Sequence, residues 1–132
     1  MKQKLPSPEN VSPIKVVAIV EDDDDITTSL LQATGQETPY HVLIVSSRLC
    51  ALETFQHIKP SLFLLDLSLH TATGLTLYDQ LHTIDGLANI PTIIVTNSLT
   101  QHQQEIEERH LIGISKPLDV DELLAIIENL LA

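Results

Sequence analysis

The sequence predicts an α/β protein built on a parallel sheet covered by helices on both faces. Three observations carry that prediction. Short apolar runs such as KVVAIV (residues 15–20) have the pattern of strands buried on both sides. Segments with apolar residues at helical spacing follow these runs, and the two kinds alternate five times. The chain has 132 residues, which fits one domain able to bury about two-thirds of its unfolded surface.

Each element has its own signal. Residues 1–13 carry three prolines and little that is apolar, and are expected to form a flexible arm ahead of a domain spanning 14–132. Asn10-Val11-Ser12 matches a glycosylation acceptor, read here as chance. The first strand is 15–20. A helix over 24–33 would put Ile26, Leu30 and Ala33 on one face. HVLIV at 41–45 is the second strand. A helix over 47–58 sets Leu52, Phe55 and Ile58 at helical spacing, and Pro60 stops it. Strand three is 62–65. Helix 75–84 aligns Leu77, Tyr78, Leu81 and Ile84. TIIV at 92–95 is strand four. Helix 101–109 has Ile106 as its one strong apolar anchor and should be the weakest element. Strand five, 111–114, is weakened by Gly113. In the last helix, 119–131, Asp119 and Glu122 form a capping signature. Val120, Leu123, Leu124, Ile127, Leu130 and Leu131 are expected on its apolar face.

Composition narrows the function. Eighteen acids against seven bases give a formal charge of −11, a field that repels phosphate backbones, so no direct nucleic-acid binding is expected. One cysteine, Cys50, excludes an internal disulfide and fits a reducing compartment. No apolar run is long enough for a membrane span, and the N-terminus lacks the apolar core of a signal peptide. The expected location is the cytoplasm. His41, His57, His70, His82, His102 and His110 show no metal-ligand spacing. Asp22 to Asp25 is no EF-hand loop, since the required glycine and closing glutamate are missing.

In parallel sheets, sites form beyond the carboxyl ends of the strands. Glu21 and Asp22 follow strand one, Asp66 strand three, Thr96 strand four and Lys116 strand five. Two carboxylates about 4 Å apart repel by about 4 kcal/mol at an effective dielectric near 20. A cation between them relieves that repulsion, and oxygen ligands without His or Cys favour a hard ion such as Mg²⁺. An aspartate, a metal, a hydroxyl and an amine together suit an aspartate that takes up a phosphoryl group.

These residues resemble a two-component response-regulator receiver domain. The resemblance rests on the acidic pair in VAIVEDDDDI, the Asp in LFLLDLSLHTATGL, the hydroxyl in IIVTNS and the Lys-Pro in ISKPLDVDELL, with Gly74 eight residues after Asp66. It covers residues 15–132. It implies a doubly wound, flavodoxin-like sheet of five parallel strands in the order 2-1-3-4-5. It implies Asp66 as phosphoacceptor, with Thr96 and Lys116 on the phosphoryl oxygens. Glu21, Asp22, Asp66 and the Ser68 backbone carbonyl would organise Mg²⁺. The partners implied are a histidine kinase or histidine phosphotransfer protein, and a downstream effector or an output domain outside this sequence. Homodimerisation is common in the family. The Lys116–Pro117 bond is often cis there. Beyond turning over its own phosphoryl group, the domain is not expected to be an enzyme.

Three positions depart from the family pattern. His70 stands where a proline is usual, Asn97 where a small residue is usual, and Gly113 where an aromatic normally sits. Phosphate chemistry is expected to survive, and the outward movement to lack its usual aromatic. Two other readings compete. One is a pseudo-receiver that docks a partner without phosphorylation. The other is a haloacid-dehalogenase-type phosphatase, from the D-x-D-x-T pattern of Asp23, Asp25 and Thr27.

Overall fold

The computed structural model describes residues 15–22, 28, 31–32, 40–67 and 74–132. The order is β1 (Val16–Val20), β2 (His41–Val45), α1 (Arg48–Thr54), β3 (Leu62–Asp66), α2 (Gly74–His82), β4 (Thr92–Thr96), α3 (Leu99–Glu108), β5 (Ile112–Ser115) and α4 (Val120–Leu131). The strands form one sheet in the order β2-β1-β3-β4-β5, with every neighbouring pair parallel. This is the doubly wound, flavodoxin-like arrangement.

Alternation along each strand divides the core into two layers. Val17, Ile19, Leu62, Leu64, Ile93 and Val95 face the stripe Leu123, Ile127 and Leu131 of α4. Ala18, Val20, Phe63, Leu65 and Ile94 face α1, α2 and α3 through Ala51, Phe55, Leu77, Leu81 and Ile106. Phe55 meets Phe63 edge to face, with ring centroids 5.0 Å apart. Asp119 caps α4, accepting the Glu122 N–H at 3.2 Å. At the other end of α4, the Lys15 amine donates to the Leu131 carbonyl, one of the acceptors a helix C-terminus leaves open.

Three expectations are corrected. Helix α1 ends at Thr54 rather than reaching residue 58, and Ile58 is 44% exposed. The residue before Pro60 is driven out of helical geometry, and the chain unwinds through a turn ahead of it. Val120 is 36% exposed at the start of α4 rather than part of its buried stripe. Helix α3 begins at Leu99, two residues earlier than the periodicity of its polar sequence indicates. Ile106 is its one buried residue, as expected. The arm at 1–13 lies outside the described residues. Of the helix expected over 24–33, Thr28, Leu31 and Gln32 are described, and all three are helical and exposed.

Candidate functional site

Strand register sets the site. Val20 pairs with Leu65, so the next residues, Glu21 and Asp66, are neighbours. Asp66 pairs with Val95 and Thr96 with Ser115, which brings Thr96 and Lys116 to the same edge. The ladder continues past the strand ends and stiffens that edge. Glu21 N–H donates to Val45 at 3.1 Å, Leu67 N–H to Val95 at 2.9 Å, and Lys116 N–H to Thr96 at 2.8 Å.

The side chains converge on Lys116. Its Nζ donates to Asp66 Oδ1 at 3.0 Å and lies 3.7 Å from Glu21 Oε2. Asp66 is 4% exposed and Glu21 3%. Buried carboxylates need a cation, and Lys116 supplies one positive charge to both. Asp22 is half-buried beside them, and one carboxylate oxygen from each of Glu21, Asp22 and Asp66 falls within a 4.8 Å cluster. Three hard oxygen donors with no imidazole or thiolate among them fit a Mg²⁺ ion.

Thr96 is fully buried. Its Oγ1 accepts the Ser98 N–H at 3.0 Å and lies 3.1 Å from Ser98 Oγ. The Lys116–Pro117 peptide is cis. Asn97 is exposed. Ser68, with its backbone carbonyl, His70 and the run Asp23 to Thr27 that carries the D-x-D-x-T pattern lie outside the described residues.

Two features escaped the sequence. Gly74 N–H donates to the Leu67 carbonyl at 2.9 Å, and a Cβ on Gly74 would lie 2.5 Å from the Asp66 carbonyl oxygen. The start of α2 is thus pressed against the backbone that carries Asp66. The space above Gly113 is filled from α3, where an added Cβ would meet Leu99 Cδ1 at 2.6 Å and Ile106 Cδ1 at 3.2 Å. The seven-residue interval between Leu99 and Ile106, two helical turns, was the available signal.

A doubly wound parallel sheet with an acidic cluster and a lysine at its carboxyl edge defines a receiver-type signalling module. The chain belongs to the response regulator receiver domain family, whose pattern matches residues 17–128. It is thus a receiver domain of two-component signalling, a class of signalling modules rather than conventional enzymes. It is 32% identical to the polar-differentiation response regulator DivK of Brucella anthropi, over 89% of this chain and 96% of that protein. It is 28% identical to the DNA-binding dual master transcriptional regulator RpaA of Synechocystis, over 87% of this chain, and spans about half of RpaA, 48%. A CheY-like receiver domain from Methanospirillum hungatei superposes with a TM-score of 0.81 at 25% identity, covering 90% of this chain and 94% of that one. The receiver domain of a Pseudomonas aeruginosa sensor histidine kinase, solved with magnesium in its active-site cleft, gives a TM-score of 0.75 at 18% identity, covering 90% and 98%. No helix among the described residues is long and apolar enough to cross a membrane.

Proposed function

We propose that Asp66 accepts a phosphoryl group from a histidine kinase or histidine phosphotransfer protein, and that this switches the binding of a downstream effector or output domain. The observation that carries the reading is the Lys116 ammonium, 3.0 Å from a buried Asp66 carboxylate inside a three-acid cluster. The domain would comprise residues 14–132, preceded by an arm at 1–13, and would act in the cytoplasm.

An Asp66 oxygen attacks phosphorus, and the O–P bond forms as the bond from phosphorus to the donor breaks. Lys116 sits where it can neutralise the phosphoryl oxygens as charge gathers on them. Thr96 offers one hydroxyl proton to the same oxygens. Glu21, Asp22 and Asp66, with the Ser68 carbonyl, are the residues that would hold Mg²⁺. When bound, that ion screens the repulsion between the carboxylate nucleophile and an anionic phosphoryl group. The magnesium described for the Pseudomonas receiver domain supports the same assignment.

The test is intact-protein mass after incubation with acetyl phosphate, with and without Mg²⁺, beside Asp66→Asn. The expected result is one added phosphate in the parent protein with Mg²⁺ and none in the other samples. A parent protein that binds neither Mg²⁺ nor phosphate would instead be a phosphorylation-independent docking module.

A further inference from the structure

The formal charge of −11 is spread unevenly over the chain. Helices α3 and α4 hold Glu105, Glu107, Glu108, Asp121, Glu122 and Glu128, all exposed, and contain no lysine or arginine. From Ser46 to Ile84 the balance is different. Apart from Asp66 in the site, Arg48 and Lys59 there match Glu53 and Asp79, so the stretch is formally neutral. Asp79 is also held by Arg109, at 2.8 and 2.9 Å, so no acid of this stretch stands unopposed in the groove it lines.

The exposed part of that stretch is the outer surface of α1, α2 and the turn after α1, and apolar side chains reach solvent there. Leu49, in the first turn of α1, is 67% exposed, and Ile58, in the turn, 44%. Leu52 lies one helical turn beyond Leu49 and is half-buried, as is Ile84 past the end of α2. Leu52 and Ile84 line a groove of about 480 Å³ between the two helices, with Gln56, Asp79 and Thr83 on its walls. Val120 on α4, 36% exposed, instead sits between Asp119 and Asp121. A single apolar residue at a surface is ordinary, whereas Leu49 and Leu52 beside an apolar-lined groove mark a contact face.

Charge indicates what covers it. A basic partner is drawn to the acids of α3 and α4, not to a neutral face. A second copy of this chain is repelled by that same acidic surface, and least where the local charge is zero. It also brings an identical neutral, apolar face of its own. We propose that α1 and α2 form a self-complementary surface through which two copies of this chain pair about a two-fold axis, with Leu49 and the Leu52–Ile84 groove at its centre. The acids of α3 and α4 stay outside the contact. The pairing does not depend on the role of Asp66.

Sedimentation of the parent and three variants, in low and high NaCl without Mg²⁺, tests it. The parent should form a dimer as concentration rises. Salt should strengthen that dimer, because it screens the repulsion between two anionic bodies and leaves apolar contact intact. Leu49→Asp should raise the dissociation constant about tenfold or more, since each two-fold contact then gains two like charges. Gln56→Glu on the groove wall should raise it about threefold or more. Gln101→Glu adds the same charge on α3 and should have a clearly smaller effect. All three positions are exposed, and urea unfolding confirms that the variants fold. A parent protein that stays monomeric at millimolar concentration and high salt would overturn the proposal and leave the face to another protein. A dimer that salt weakens would overturn it by showing contact through ion pairs. So would a dimer that Leu49→Asp leaves intact, or one that Gln101→Glu weakens as much as Gln56→Glu.

Discussion

Gly74 and Gly113 are both tightly packed, yet they meet different neighbours. A Cβ on Gly113 meets the far ends of two flexible side chains, which can turn away. A Cβ on Gly74 would lie 2.5 Å from the Asp66 carbonyl oxygen and 3.1 Å from Leu67 Cα. Backbone that is part of β3 and its hydrogen-bond ladder cannot swing aside. Gly74→Ala should therefore cost about 1–3 kcal/mol of stability by overpacking. It should also slow phosphate uptake, because the displaced atoms carry the nucleophile. Gly113→Ala should be milder in stability. Urea unfolding and the rate of mass gain with acetyl phosphate measure the two effects, and a Gly74→Ala protein as stable and as fast as the parent would refute the constraint. The sequence pointed to Gly74 only through family resemblance. Its physical reason, close approach to a residue eight positions earlier, depends on how α2 docks, which no local pattern encodes.

At the level of elements, strong periodicity was legible and docking was not. The runs in β1, β3 and β4 and the Leu123, Ile127, Leu131 stripe of α4 follow directly from apolar spacing. The end of α1 was misjudged because the apolar residue Ile58 extended a helical pattern that the turn before Pro60 cuts short. Helix α3 buries Ile106 alone, the one strong apolar residue its sequence offers, but its ion pair with α2 was invisible, since it joins residues far apart in sequence. Arg109, its C-cap residue, donates to both Asp79 oxygens of α2, at 2.8 and 2.9 Å, and to the Glu105 carbonyl at 2.8 Å. The Arg109 hydrogen bond holds the Asp79 carboxyl below its ordinary value of 3.8. A lowered folded-state value means the contribution to stability is present above the unfolded value and is lost as pH falls through the folded one. The Asp79 side chain is 53% exposed, so solvent screens the pair and Arg109→Gln should cost only about 0.2–1 kcal/mol near neutral pH. That cost should disappear in acid once Asp79 is protonated. Urea unfolding of Arg109→Gln, Asp79→Asn and the double variant at both pH values isolates the term. A penalty that is unchanged in acid would mean Arg109 acts through packing alone.

For the whole molecule, the decisive fact is that a chain of charge −11 gathers three acids at one sheet edge with one lysine among them. The sequence made that gathering legible because parallel topology sends every strand end to the same side, so the residue after each strand is a candidate. The pairing of the Thr96 hydroxyl with Ser98 was not legible, since it depends on a loop conformation. Two electrostatic effects must then be separated when salt is added. Any salt screens the general self-repulsion and should raise the melting temperature modestly. Mg²⁺ should do more, because an ion that binds the folded state alone stabilises it by mass action. At ten times its dissociation constant the gain is about 1.4 kcal/mol, which for a domain of this size corresponds to roughly 3–8 °C. Melting curves in MgCl₂ and NaCl at equal ionic strength should therefore diverge. Asp22→Asn, the half-buried member of the cluster and so the least disruptive to change, should keep the NaCl response and lose the Mg²⁺ excess. Equal shifts in the two salts for the parent protein would show that the acids gather without a bound ion, leaving Lys116 as the cation that makes their burial tolerable.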